Sequence, residues 1–334
     1  MVDEVSVPRF VETSTFEADV AMLQNGWRPT GGPINIAANE GLLNWPLRAL
    51  VNRTRWLWNA IADMRLRADL LVTVGTGGTF ATINEALAYL SDRRPAYVSG
   101  GFTTELRLKT GFVMREQVIV KGINLSWIKI TSEDAEVQID RAYLTVASGG
   151  FYGAFCAEDG GFLPTIGVLF TMMATGTATS RCGIRLVAGG GASVLTGKGV
   201  KAAPIGVQMN TGAVLIANDA VFSGCTQYAC VVHGGSVATL QAADLRNSGG
   251  AGIFVANASR VHAASALITG CVTGAITATF GSQININSAS CRTGGSDAAT
   301  DIVVGSGSII SATASTGGTN ITINTITASG IIFK

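Results

Sequence analysis

Two hydrophobic rhythms divide this chain. From Leu43 onward, the positions Leu43, Leu47, Leu50, Thr54, Leu57, Ile61, Met64, Ala68 and Leu71 follow at alternating intervals of four and three. A mean period of 3.5 residues belongs to a coiled-coil seam, whereas a helix lying on a globular core drifts toward 3.6. The pattern predicts a self-associating helix over 43–71 with these nine residues at its seam; a helix buried within a single chain is the alternative. Asn44 is placed to cap this helix, and Pro46 falls in the first turn, where a missing N–H costs little. Trp45, Trp56 and Trp58 lie off the seam and are expected to pack sideways on neighbouring chains or a docking partner.

The second rhythm is longer. Gly212, Gly235, Ala258 and Gly281 are small residues 23 apart, and each precedes an alternating run. Ten residues on lie Phe222, Leu245, Ile268 and Cys291, expected to form a core ladder. Eighteen residues after the first three small positions come Cys230, Ile253 and Ile276. The pairs Leu215 and Ala217, Ala238 and Leu240, Val261 and Ala263, Ile284 and Ile286 trade large for small between repeats, which keeps an interior volume constant. A fixed period in this range with strand-like alternation predicts a parallel β-solenoid that turns once per repeat. Gly191 and Gly307 read as imperfect extensions of the small column, its spacing shortened before Gly212 and lengthened after Gly281. Asn218, Gln241 and Asn287 suggest a stacked amide column.

Between the two rhythms, Thr82 can cap a short amphipathic helix presenting Ile83, Ala86, Leu87 and Leu90. Such a helix would cover the open first coil of the solenoid. The preceding Gly75, Gly77 and Gly78 lack the spacing and lysine of a phosphate loop. Val118–Val120, Trp127–Ile130 and Val137–Ile139 read as strands. The expected organisation is an attachment segment (1–42), the coiled-coil helix (43–71), the start and cap of the solenoid (72–147), the solenoid proper (148–311) and a C-terminal β cap (312–334).

Composition agrees with a close-stacked β fold: 47% of residues are hydrophobic, 13% are charged and 42 are glycine. A formal net charge of +1 gives no global field for nucleic acid or an anionic membrane, and the cluster Arg48, Arg53, Arg55, Arg65 and Arg67 reads as a solvated helix face. No apolar stretch is long enough to span a bilayer, and residues 1–10 lack a secretory signal pattern, so synthesis in the cytoplasm is expected. The six cysteines show no paired spacing and read as buried thiols.

Two motifs bring a family resemblance. Asn44-Trp-Pro-Leu-Arg-Ala-Leu-Val-Asn-Arg-Thr-Arg-Trp-Leu57 resembles the N-terminal attachment segment of bacteriophage tail fibre proteins. Gly75-Thr-Gly-Gly-Thr-Phe-Ala-Thr-Ile-Asn-Glu-Ala-Leu87 is similar to the opening of the pectin-lyase-like β-helices of tailspikes. The resemblance implies a mainly β chain: a right-handed parallel β-helix of about 23-residue coils, preceded by a trimeric α-helical coiled coil. It further implies a homotrimer in the phage virion, gripping a baseplate or tail-tip protein through its N-terminus. The outer surface would meet a host glycan or receptor, or carry a receptor-binding protein.

Many tailspikes cleave polysaccharide, so depolymerase activity, as a glycoside hydrolase or lyase, is the alternative function; a cellular adhesin is a third. Hydrolysis needs two carboxylates at a set separation. Asp219 and Asp244 have Ala242 and Leu267 as next-coil neighbours, and Glu158 and Asp159 should point apart. Asp297 and Asp301 fall in an inserted loop. Glu133, Asp134, Glu136 and Asp140 form an acidic patch, expected to be a solvated edge, with calcium binding the alternative. His233 and His262 occupy different repeat positions and are expected to be outward polar residues. Aromatic residues are sparse after Trp127, which argues against an extended carbohydrate groove on the solenoid flank. No residue qualifies as catalytic, and no cofactor or metal is implied.

Overall fold

The computed structural model describes residues 44–173, 180–293, 302–316, 326–327 and 330–333. The chain divides into two units. In the first lies α1, Asn44–Asp63, followed by the short strand Arg65–Leu66, which pairs in parallel with Arg94–Pro95. The second unit takes in 68–91 and everything from 100 onward, and it is mainly β.

The helix stops short of the predicted seam. Met64 lies beyond its last residue, and Leu71 sits in the strand Leu70–Val74. Ala68 lies between the two, outside α1. Intervals of three and four across so few positions do not separate helix from strand. The alternating Leu70-Leu-Val-Thr-Val74 is decided by parallel pairing with Thr104–Leu108.

The second unit is built from parallel strands. One eight-stranded sheet runs through Val118–Lys121, Tyr152–Glu158, Arg181–Val187, Ile205–Asn210, Tyr228–Val232, Ala251–Val255, Gly274–Ala278 and Ile302–Val304 in that order. We call it sheet I. Sheet II stacks Gly191–Ser193, Val214–Ile216, Val237–Thr239, Arg260–His262, Gln283–Asn285, Ser308–Ser311 and Gly330–Phe333. Ile326–Thr327 closes it as an antiparallel pair, so the described C-terminal residues finish this sheet. Shorter parallel ladders, such as Leu70–Val74 with Thr104–Leu108 and Ile128–Ser132, complete the fold. An arrangement of stacked parallel sheets is compatible with a β-helix or solenoid.

The repeat appears as strand register. Val214 pairs with Val237, Val237 with Arg260 and Arg260 with Gln283, every step equal to the sequence period; Gln283 then pairs with Ile309 across a longer coil. Phe222, Leu245, Ile268 and Cys291 are all fully buried, with Ile268 and Cys291 direct partners across strands. The small column is a turn column: Gly212, Gly235, Ala258, Gly281 and Gly307 all have φ between 59° and 74°. The sister residue in the preceding coil is Gly189 at φ 76°, not Gly191, because the turn, rather than the size of the residue, sets the register.

The stack also begins earlier than position 148. Leu70 pairs with Thr104, and Thr104 with Ile128, so parallel stacking starts at Leu70. Val118 meets Phe155, and Tyr152 meets Arg181, steps that differ from each other and from the later period. Coils of unequal length hide the period from the sequence. The short helix α2, Ile83–Ser91, buries Ile83, Ala86, Leu87 and Leu90 and packs on Leu70–Val74, the first strand of the stack. Its start is doubly held. Thr82 Oγ1 accepts the Glu85 amide while Glu85 accepts those of Ala81 and Thr82, and Glu116 accepts the amides of Ile83 and Asn84 at 2.7 and 2.9 Å. Burial raises the Glu116 carboxyl above its ordinary range despite those two bonds.

Candidate functional site

On a stacked parallel sheet, alternate residues of every strand line up in outward columns. In sheet II the middle residues Leu215, Ala238, Val261, Ile284 and Ile310 are buried, so their neighbours face out. One outward column reads Val214, Val237, Arg260, Gln283 and Ile309; the other reads Ile216, Thr239, His262, Asn285 and Ser311. Exposed apolar residues therefore flank a polar centre: Val214, Ile216 and Val237 on one side, Ile309 and Phe333 on the other. A shallow trough of about 430 Å³ lies across four successive strands of this face, from Val237 to Ser311. No carboxylate lines it.

Several of the described acids are engaged elsewhere. Glu133 meets Lys109 Nζ at 2.5 Å and accepts the Thr110 amide. Asp134 accepts the Gly111 amide at 2.7 Å, and Asp140 accepts that of Ala142. Glu136 lies 2.7 Å from Lys201 Nζ and accepts the Thr171 hydroxyl, bridging three neighbouring strands. The predicted acidic patch is thus four carboxylates that share no partner, each pinning a turn or a ladder. Glu158 pairs with Lys121 at 2.6 Å, and Asp159 occupies a left-handed turn. Asp244 takes both Nε and Nη2 of Arg246. Asp297 and Asp301 lie outside the described residues.

A second, mostly buried cluster was not legible in the sequence. On sheet I, Arg185, Gln208, Val231 and Phe254 stack in one column, the first three buried and Phe254 half-buried. Tyr228 packs on Phe254 at 6.0 Å between ring centroids and His233 on Phe254 at 5.4 Å. Burial, aided by the charge of Arg185, holds the His233 imidazole below its ordinary range. Arg185 is only 1% exposed. Its Nε donates to the Ser148 carbonyl and the Phe151 ring lies 5.2 Å from its guanidinium, while Nη1 has no hydrogen-bond partner. Scattered aromatics at 151, 228 and 254 signal nothing along the chain; parallel register alone gathers them.

The remaining expected residues fall as follows. Leu50, Thr54, Leu57 and Ile61 lie along α1 and are exposed on the single chain, as are Met64, Ala68 and Leu71 beyond it. Leu43 lies outside the described residues, and Leu47 lies within α1. Trp56 and Trp58 are exposed as well. All six cysteines are buried; burial pushes Cys156, Cys225 and Cys230 up to about 12. His262 stands outward between Thr239 and Asn285. Of the expected amide column, Asn218 accepts the Gln241 amide, and Asn287 accepts from Ser311 and Thr313 in the next coil. No protein-family model matches the chain, and no curated protein matches it in sequence.

Proposed function

We propose that this chain is a non-enzymatic structural subunit of a bacteriophage tail fibre or tailspike. In this reading three copies associate, a right-handed parallel β-helix of about 23-residue coils forms the shaft, and the N-terminal segment grips a baseplate or tail-tip protein. The outer faces meet the host surface or carry a receptor-binding protein. The observation that carries the reading is the 23-residue strand register, which stacks a buried interior and leaves side-chain columns and loops outside. Two further features support it. The exposed run Leu50, Thr54, Leu57 and Ile61 on α1 keeps its 3.5 spacing within the helix, which suits packing against copies of itself. Among the described residues, Glu133, Asp134, Glu136 and Glu158 are bound to cations or turn amides, which favours a structural role over cleavage.

Light scattering on the purified chain tests the assembly: a mass three times 34.4 kDa is expected. Leu57→Asp with Ile61→Asp, both exposed and so harmless to a single chain, should release monomers with unchanged β content. A wild-type protein that is monomeric overturns the trimer. Incubation with polysaccharides should release no new reducing ends, and release of them would replace this reading with a depolymerase.

A further inference from the structure

We infer that Arg185, in the buried cluster on sheet I, holds a small monovalent anion of the halide class beneath the hairpin formed by Ser148 to Phe151. The site is independent of what the chain attaches to.

Three observations lead there. The first is charge. Arg185 is 1% exposed; its Nε donates to the Ser148 carbonyl, and its Nη1 has no hydrogen-bond partner. Among the described residues, Glu158 is the one carboxylate whose charge bears on it, and Glu158 is bonded to Lys121 Nζ at 2.6 Å. The guanidinium is thus left without a counter-charge of its own, which is costly in a buried place unless an anion meets it.

The second is the donor set. Gln208 pairs with Arg185 across neighbouring strands, is 5% exposed, and its side-chain amide has no hydrogen-bond partner among the described residues. Around these two lie Phe151, Cys182 and Val231, packed as one apolar cluster. One guanidinium and one amide between apolar walls suit a monatomic anion. A phosphate or sulfate would bring more oxygens than these donors can meet.

The third is the cover. Ser148 and Phe151 exchange backbone hydrogen bonds of 2.7 and 3.1 Å around Gly149 and Gly150, which turn at φ 55° and 85°. The Phe151 ring lies 5.2 Å from the guanidinium, and a Cβ on Gly149 would stand 2.8 Å from Nη2, so only glycine lets the backbone come this close. Gln117 Nε2 donates to the carbonyls of Val146 and Gly153 and so pins the chain on both sides of the hairpin.

Crystals of the full chain soaked in sodium bromide test the site directly. An anomalous peak is expected within hydrogen-bond reach of Nη1. In solution, sodium bromide in place of sodium gluconate at constant ionic strength should raise the wild-type melting temperature by about 2 °C or more. Arg185→Met should show no such rise, and in gluconate it should melt no lower than wild type. His233 gives a further readout on the unaltered protein. Burial first, and then the charge of Arg185, hold its imidazole low, so an anion at Arg185 should raise its midpoint in an NMR titration. The inference is overturned by any of four results: no bromide peak, an equal rise in Arg185→Met, an unmoved His233 midpoint, or a peak without a rise in melting temperature, which would be an adventitious ion only. If Arg185→Met does not fold, the wild-type peak and the His233 midpoint decide.

Discussion

The Glu133 carboxylate lies 2.5 Å from Lys109 Nζ, and the same carboxylate accepts both the amide and the hydroxyl of Thr110. One acid thereby ties the turn after strand Thr104–Leu108 to the end of strand Ile128–Ser132, one rung further along the stack. Charge-assisted bonds of this kind favour the ionised form.

Acid should therefore loosen the stack. The Lys109 ammonium and the Thr110 amide hold Glu133 down at about 2, against an ordinary 4.5. The folded state thus gains from the ionised form above about pH 4.5 and loses that gain as pH falls through about 2. Glu105, held low chiefly by Arg107, and Asp244, held low chiefly by Arg246, shift in the same direction. Melting temperature should fall as pH drops from about 5 toward 2. Glu133→Gln should melt below wild type at neutral pH and converge with it near pH 2. Parallel pH curves for the two proteins would refute the coupling.

Ala258 is the one alanine in a turn column otherwise made of glycine, and its φ is 59°. A Cβ in that left-handed region costs roughly 1–2 kcal/mol, partly offset by the greater entropy glycine loses on folding. Ala258→Gly should therefore stabilise the protein by up to about 1 kcal/mol, read as a higher urea midpoint at unchanged slope. A lower midpoint would mean that the Ala258 methyl makes contacts worth more than the strain.

Arg185 is buried with an unpartnered Nη1, and burial lowers its pKa. The Ser148 carbonyl it touches also accepts the Phe151 amide, so removing the guanidinium strands no acceptor. Arg185→Met should leave stability within about 1 kcal/mol of wild type or raise it, since buried charges repay their desolvation poorly. A loss of about 3 kcal/mol or more in chemical denaturation would show that the charge is fully compensated in the folded state.

Phe222 opens the interior ladder that continues through Leu245, Ile268 and Cys291. Phe222→Ala should cost about 3–5 kcal/mol, the range for emptying a large core site. Phe280, 61% exposed at a turn, is the control, and its truncation should be nearly neutral. Equal losses at both positions would deny the ladder its role.

By itself the sequence determined whatever repeats locally and evenly. The 23-residue spacing, the alternation that buries Leu215, Ala238, Val261 and Ile284, and the Thr82 cap of α2 were all legible, because each depends on near neighbours or on a constant period. Tertiary structure decided the rest. Whether Leu71 ends a helix or joins a strand was settled by its pairing with Glu105, which belongs to the next rung of the stack. The first coils were hidden because their lengths vary, and the turn column was misplaced at Gly191 instead of Gly189 because size along the chain does not report φ. Glu116 at the start of α2, the Tyr228–Phe254–His233 cluster and the row from Val237 through Arg260 to Ile309 exist only because parallel strands bring residues far apart in sequence to within one strand spacing. Outward columns carry no hydrophobic signal of their own, so only the register of the folded chain assembles them into a surface.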